Sequence, residues 1–242
     1  MKTINVALQP HEGMLAERFV EKNADFLRCC GNEVHLEKGE NLILESSNVD
    51  HVFLIEKGLA CGYKLLVDGS MQTLHFFMPG DLCNLSTFML PKAPMSVRAL
   101  GPLVAYKIPL ADLHDAADTR RLTRQFVREQ EVLRKRMSHQ WLVNLVSLQA
   151  DQRLAHLLCE LVYRTHGEKA KSLASFSVSL TQIELSEALG ISIVHMNRVA
   201  RQLRKDGILD LKHGNLKVPD WQRLEQFACF DPEYLEVSVA EA

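Results

Sequence analysis

From Glu33 to Ile108 the apolar residues fall in short or alternating runs, NLILE, HVFLIEKG, CGYKLLV, QTLHFFM, VRAL and LVAYKI, separated by Gly, Asp, Asn and Pro. Runs of that length predict strands, and many in succession predict a jelly roll or small barrel rather than an open sheet. Asp68-Gly69 supplies a positive-φ turn between two of the runs, and Pro79-Gly80-Asp81 supplies another corner. On either side the period changes to that of a helix. Upstream, Phe19, Val20, Phe26 and Leu27 recur at helical spacing before Gly31, which predicts a short helix over Ala16 to Cys29. Downstream, Ile108-Pro109 closes the β region. The stretch from about Thr119 to Leu148 then contains no Pro or Gly, and Leu122, Phe126, Leu133, Met137, Trp141, Leu145 and Leu148 recur at steps of three, four or seven. That spacing predicts one long helix with a continuous apolar stripe. Gln130, Gln140 and Asn144 lie near the stripe, as in a two-stranded seam whose register is set by a few buried polar groups. The alternative is that the stripe packs only on its own β-domain.

A third region begins near Gln149 to Asp151. Asp151 is placed to cap a helix, QRLAHLLCELVYRTH, that Gly167 ends. Glu168 to Ser175 reads as a surface loop, and FSVSL as a period-two strand. Thr181-Gln182-Ile183-Glu184 then has the capping-box pattern at the start of a short helix to Leu189, and Gly190 allows a tight turn. Ser192 caps a second helix with Val194, Met196, Val199 and Leu203 as its inward set. Helix, glycine turn and helix in this order are the layout of a helix-turn-helix. The second helix carries His195, Asn197, Arg198, Arg201, Gln202, Arg204 and Lys205, with no acidic residue before Asp206. After Gly207, ILDLKHGNLKV alternates about Gly214-Asn215 as a hairpin, a wing with Lys212, His213 and Lys217 near its tip.

Composition narrows this picture. The 242 residues suit two domains, and 47% hydrophobic with 24% charged residues is a globular balance. Lys and Arg number 28 against 30 Asp and Glu, so the basic second helix is a local surface and not part of a global basic field. Six irregularly spaced cysteines read as reduced thiols, and no run is apolar enough for a signal core or a membrane span. A cytoplasmic protein with no membrane partner is expected. Cys29 and Cys30 are adjacent, Cys61 and Cys83 are isolated, and His51 and His75 form no metal-binding pair. Neither a metal nor a cofactor is expected, and a metal-dependent jelly-roll enzyme is disfavoured because clustered ligands are absent.

From about Glu33 to Pro219 the sequence resembles the Crp/Fnr family of bacterial transcription regulators. The resemblance is carried by KGENL (Lys38 to Leu42), IEKG (Ile55 to Gly58), FMPGDL (Phe77 to Leu82), SVRAL (Ser96 to Leu100) and, most specifically, LSEALGISIVHMNRVARQLRKDGIL (Leu185 to Leu209). It implies an α+β chain in three parts: an N-terminal helix and cyclic-nucleotide-binding-like β-roll over residues 1–118, a dimerisation helix over 119–148, and a winged helix-turn-helix domain over 149–242. A homodimeric, sequence-specific regulator of transcription follows, with double-stranded DNA and RNA polymerase as partners and room for a small-molecule effector. A ligand-regulated protein-interaction module without DNA binding is the competing reading.

The resemblance carries over unevenly at single residues. Where cyclic-AMP-binding members place a Gly-Glu pair and an Arg-Ser pair, this chain has Asn84-Leu85 and Ala93-Pro94. The phosphate-holding arginine is therefore missing, which points to an effector other than cyclic AMP or to none. Arg98 belongs to the VRA strand and reads as structural. Haem ligation by Cys83 lacks the partner His of haem-binding relatives. In the second helix the family's base-reading Glu and Arg fall on Val194 and Arg198. Arg198 keeps a fork suited to guanine, whereas Val194 has no acceptor for cytosine. Ile193, His195 and Asn197 are the candidates for a new base preference, Asn for adenine and Ile for a thymine methyl. Thr181, Ser192, Arg201 and His213 are expected at phosphates.

Overall fold

The computed structural model describes residues 31–119, 121–212 and 214–236, so the helix expected over Ala16 to Cys29, the Cys29-Cys30 pair and His213 lie outside the described residues. Two compact units are present, one containing residues 31–136 and the other residues 137–235.

The first unit contains strands β1 (Asn32–Leu36), β2 (Asn41–Ile43), β3 (His51–Lys57), β4 (Ala60–Leu65), β5 (Met71–Phe77), β6 (Leu82–Cys83), β7 (Ser96–Ala99) and β8 (Leu103–Pro109). They form two four-stranded sheets ordered β1-β8-β3-β6 and β2-β7-β4-β5. One core draws on both sheets through Ile43, Phe53, Ile55, Phe77, Val97 and Leu103. The other face of β3 sends Val52 and Leu54 into a second cluster with Leu82, Ile108, Leu113, Phe126 and Val127. A strand buried on both faces reads as a continuous apolar run, which is why HVFLI does not alternate. Gly58 turns β3 into β4 at φ +89°, and any Cβ there would collide with the Pro102 carbonyl oxygen.

Two helices follow. Helix α1 (Leu110–Thr119) was not expected from the sequence. Its fully buried Leu113 stands among Asp, His and Ala residues, and so little burial leaves no periodic stripe to read. Helix α2 (Arg121–Ser147) is the expected long helix, and the boundary between the two units falls within it. Its apolar stripe is divided. Phe126, Val127 and Met137 are buried, while Val132, Leu142, Val143, Leu145 and Val146 are exposed. The seam expected through Leu133 and Met137 is corrected on this point, because Met137 is only 2% exposed within its own chain. Gln130 is corrected likewise: its Oε1 accepts the Leu82 N–H at 3.2 Å, so it ties α2 to the roll's own chain. Gln140 donates to Asn144 Oδ1 at 2.9 Å along the helix.

The second unit contains α3 (Ala150–His166), β9 (Ser175–Ser177), α4 (Gln182–Leu189), α5 (Ile193–Lys205), β10 (Asp210–Lys212), β11 (Asn215–Lys217) and α6 (Trp221–Ala228). The cap of α3 is Gln149 and not Asp151, whose carboxylate accepts the Gln152 N–H from within the first turn. The expected loop after Gly167 is a 3-10 helix through Ser172. Of FSVSL only the first residues extend the strand, because β9 completes the sheet β10-β11-β9 by pairing Phe176 with Leu216. Lys212 pairs with Asn215, so Asn215 belongs to the second strand of the hairpin and not to its turn. Within this unit Glu160 is fully buried and accepts from Trp141 Nε1 at 2.9 Å and the Tyr234 hydroxyl at 2.8 Å. His156 donates from Nδ1 to the Ala228 carbonyl at 3.1 Å, and burial pushes its pKa down. Among the described residues no helix is long and apolar enough to cross a membrane.

Candidate nucleic-acid interface

Local hydrogen-bond demand sets both helix starts of the helix-turn-helix. At α4 the Glu184 N–H donates to Thr181 Oγ1 at 3.2 Å, and the Thr181 N–H donates back to Glu184 Oε2 at 2.7 Å. This box leaves the Thr181 hydroxyl hydrogen available to a phosphate. Gly190 ends α4 in the left-handed region at φ +63°, and the chain re-enters a helix at Ser192, whose Oγ accepts the His195 N–H at 3.2 Å.

On α5, Met196, Val199, Ala200 and Leu203 are buried. At about 100° per residue these positions share one side, and Val194, Arg198, Arg201 and Lys205 fall within about 60° of one another on the opposite side. Hydrophobicity predicts that Val194 faces inward with the core set. It is instead 76% exposed, because it lies about half a turn of the helix away from that set. Arg198, Arg201 and Lys205 are exposed and make no hydrogen bond or ion pair with another described residue. Other groups on the same unit are engaged. Arg204 and Lys212 face Asp210 at 3.8 Å and 3.0 Å, and Gln202 donates to both Asp206 oxygens. Asn197 is half-buried, and its Nδ2 donates one of its two hydrogens to the Ile193 carbonyl at 2.9 Å. Ile193 is 39% exposed and His195 half-buried beside the outward stripe.

One contributor escapes sequence reading. Arg223 on α6 donates from Nη2 to the Asp206 carbonyl at 3.0 Å, a cation at the C-terminal end of α5 where the helix dipole favours it. Its own N–H is held by Asp220 at 3.0 Å. Nothing in the spacing of two separate helices announces that contact.

The corners of the β-roll are built differently. Ala93 is buried, donates its N–H to the Ser47 carbonyl at 3.0 Å and accepts from the Ser46 N–H at 2.9 Å. Pro94 has no N–H to offer. Asn84 is buried in the left-handed region at φ +70°, with Nδ2 directed at the His51 carbonyl, and Leu85 packs on the second core cluster. Arg98 lies over the Tyr63 ring at 5.3 Å, while the Tyr63 hydroxyl donates to Asn41 Oδ1 at 3.0 Å, in keeping with a structural role. Cys83 is fully buried, and desolvation pushes its thiol pKa well above the usual range. Among the described residues no group of three His, Cys, Asp or Glu side chains gathers as a metal site.

Comparison with known proteins agrees with this construction. Residues 33–120 match the model of the cyclic nucleotide-binding domain, and residues 152–227 match that of the Crp-like helix-turn-helix domain. The nitrogen fixation regulation protein FixK of Bradyrhizobium diazoefficiens is 23% identical over 198 residues, covering 82% of each chain. The transcriptional activator protein Anr of Pseudomonas aeruginosa is 24% identical over 188 residues, covering 76% of this chain and 75% of that protein. The solved structure of FixK2 from Bradyrhizobium japonicum superposes with a TM-score of 0.72 at 21% identity, covering 87% of this chain and 99% of that one. The chain belongs to the Crp/Fnr family, whose members are transcription regulators and not enzymes.

Proposed function

We propose that this protein is a homodimeric regulator that binds a pseudo-palindromic operator in double-stranded DNA, in the cytoplasm, under an effector other than cyclic AMP or under none. The carrying observation is the outward stripe of α5, where Arg198, Arg201 and Lys205 are left exposed and unpaired among the described residues on a helix opened by a serine cap. A helix with its N-terminus leading into the major groove presents such a stripe to base edges first and to the backbone further along. Arg198 is assigned to a guanine, with Ile193, Val194, His195 and Asn197 around it. Thr181, Ser192 and Arg201 are assigned to phosphates, and His213 to the same role at the wing.

Three functional parts follow: a sensor over residues 1–118, a dimerisation helix over 119–148 and a DNA-binding domain over 149–242. The exposed set Val132, Leu142, Val143, Leu145 and Val146 on α2 is the surface assigned to the second copy. RNA polymerase is the expected protein partner at the promoter. Selection of bound duplexes from a random DNA pool tests the reading. Enrichment of a two-fold-related sequence, with half-sites about one helical turn apart, supports it, and a pool that stays random overturns it.

A further inference from the structure

We infer that Val194 is a specificity-determining residue that reads the C5-methyl group of a thymine beside the guanine assigned to Arg198. The inference rests on the DNA-binding reading above and adds one base to it. Four observations carry it. Val194 is 76% exposed, the most exposed apolar side chain of α5, although it is one of the first residues of the helix. It shares the outward stripe with Arg198, Arg201 and Lys205, so the stripe begins with an apolar residue and continues with cations. It stands four positions before Arg198, about 6 Å along the axis, which corresponds to one or two base pairs at about 3.4 Å each. Its neighbours are less suited: Ile193 is half as exposed at 39%, and Asn197 is half-buried and polar, with one of its two amide hydrogens given to the Ile193 carbonyl.

The chemistry is selective. In the major groove thymine alone of the four bases presents a methyl group, and the other edges present donors and acceptors that a valine leaves unsatisfied. A β-branched side chain in a helix is held close to one rotamer, so its methyl groups meet the base without further ordering. A leading valine thus favours thymine and disfavours cytosine, whose amino group would lose its water without gaining an acceptor.

The test uses the full chain and the operator selected from random DNA, with the guanine identified by loss of discrimination in Arg198→Ala. Thymines within two base pairs of that guanine are replaced one at a time by deoxyuridine, which removes only the methyl group. The unaltered protein is expected to lose about fourfold in affinity at one such position per half-site, the fold-change corresponding to about 0.8 kcal/mol for one buried carbon. Val194→Ala is expected to bind thymine and uracil operators alike, and Val194→Glu to shift that position toward cytosine, whose amino group a carboxylate accepts. Circular dichroism confirms that both variants fold. A selected operator with no thymine there, an unaltered protein indifferent to the methyl group, or a Val194→Ala variant that remains sensitive to it overturns the inference while leaving DNA binding intact. A pool that yields no operator overturns both.

Discussion

The outward face of α5 and the corners of the β-roll use their polar groups in opposite ways. On α5, Arg198, Arg201 and Lys205 are held out from a core of Met196, Val199 and Leu203, and no described acidic group answers them. In the roll, the Ala93-Pro94 and Asn84-Leu85 corners commit most of their groups within the chain, with Ala93 and Asn84 buried. The Ala93 N–H is committed to Ser47, Asn84 faces the His51 carbonyl, and Leu85 joins the core. A fold keeps a surface competent to bind where it leaves charge and donors unsatisfied at exposed positions, and closes a surface where its own backbone consumes them. By this criterion the α5 face stays open to a partner, and the Ala93-Pro94 and Asn84-Leu85 corners are occupied by the chain's own groups.

The largest expected effect comes from a third kind of surface, the exposed apolar set of α2. Val143→Glu together with Val146→Glu is expected to convert a dimer to monomers by light scattering and to lower operator affinity by about 10²–10⁴-fold, because the second half-site then gains nothing from the first. Both residues are more than half exposed, so the protein is expected to stay folded. A dimeric mass after both changes would place the second copy elsewhere and leave α2 as an ordinary surface. Replacing Met137 would not serve, since a charge at a position only 2% exposed disrupts the chain's own packing.

Smaller effects separate groups within the stripe. Arg198→Ala is expected to cost about 1–3 kcal/mol on the operator and to flatten discrimination at one base pair. Arg201→Ala is expected to weaken operator and scrambled duplex alike and to reduce the salt slope by about one. Titrations of both duplexes at two salt concentrations measure this. An equal loss on both duplexes for Arg198→Ala would make it a phosphate anchor.

Much of this face is legible in the sequence because its determinants are local. A cap, a box and a glycine turn concern hydrogen bonds within a few residues, so Thr181, Glu184, Gly190 and Ser192 announce themselves. The two-layer roll is legible for a similar reason, through short apolar runs broken at Asp68-Gly69 and Pro79-Gly80-Asp81. What is not legible depends on residues distant in sequence. Periodicity marks Met137 and Leu145 as one stripe but does not say that the first is buried in its own chain and the second exposed. Gln130 looks like a register residue until Leu82, 48 positions away, is seen to donate to it. Hydrophobicity groups Val194 with the core, although its angular position sets it on the outer face.

The buried network of the second unit supplies a contrast inside one domain, with polar groups satisfied and hidden. His156 donates to Ala228 and lies 3.3 Å from the Tyr234 hydroxyl, which donates to Glu160. Burial lowers the pKa of His156 below its ordinary value of 6.5, with Glu160 opposing that shift. The unfolded chain therefore binds the proton more readily than the folded one. Stability is full above about pH 6.5 and falls as the pH drops below the ordinary value toward the depressed one. Thermal melts across this range are expected to show a loss that His156→Asn removes. A melting temperature independent of pH between neutrality and pH 5 would contradict the assignment of a neutral buried imidazole.

The smallest expected effect is none at all, and it bears on the other side of the comparison. Binding a cyclic phosphate requires an arginine fork or an array of backbone N–H groups. At the Ala93-Pro94 corner neither of the two residues carries a charge, the Ala93 N–H is already bonded to Ser47, and Pro94 has no N–H. Leu85 offers no acceptor for a ribose hydroxyl. Cyclic AMP at millimolar concentration is thus expected to leave both the melting temperature and the operator affinity unchanged. A ligand present at a hundred times its dissociation constant would add about 2.7 kcal/mol of stability, well within reach of a melting experiment. Micromolar binding by calorimetry would show that the roll recruits donors away from these corners, and the contrast between an open α5 face and closed roll corners would then fail for the roll.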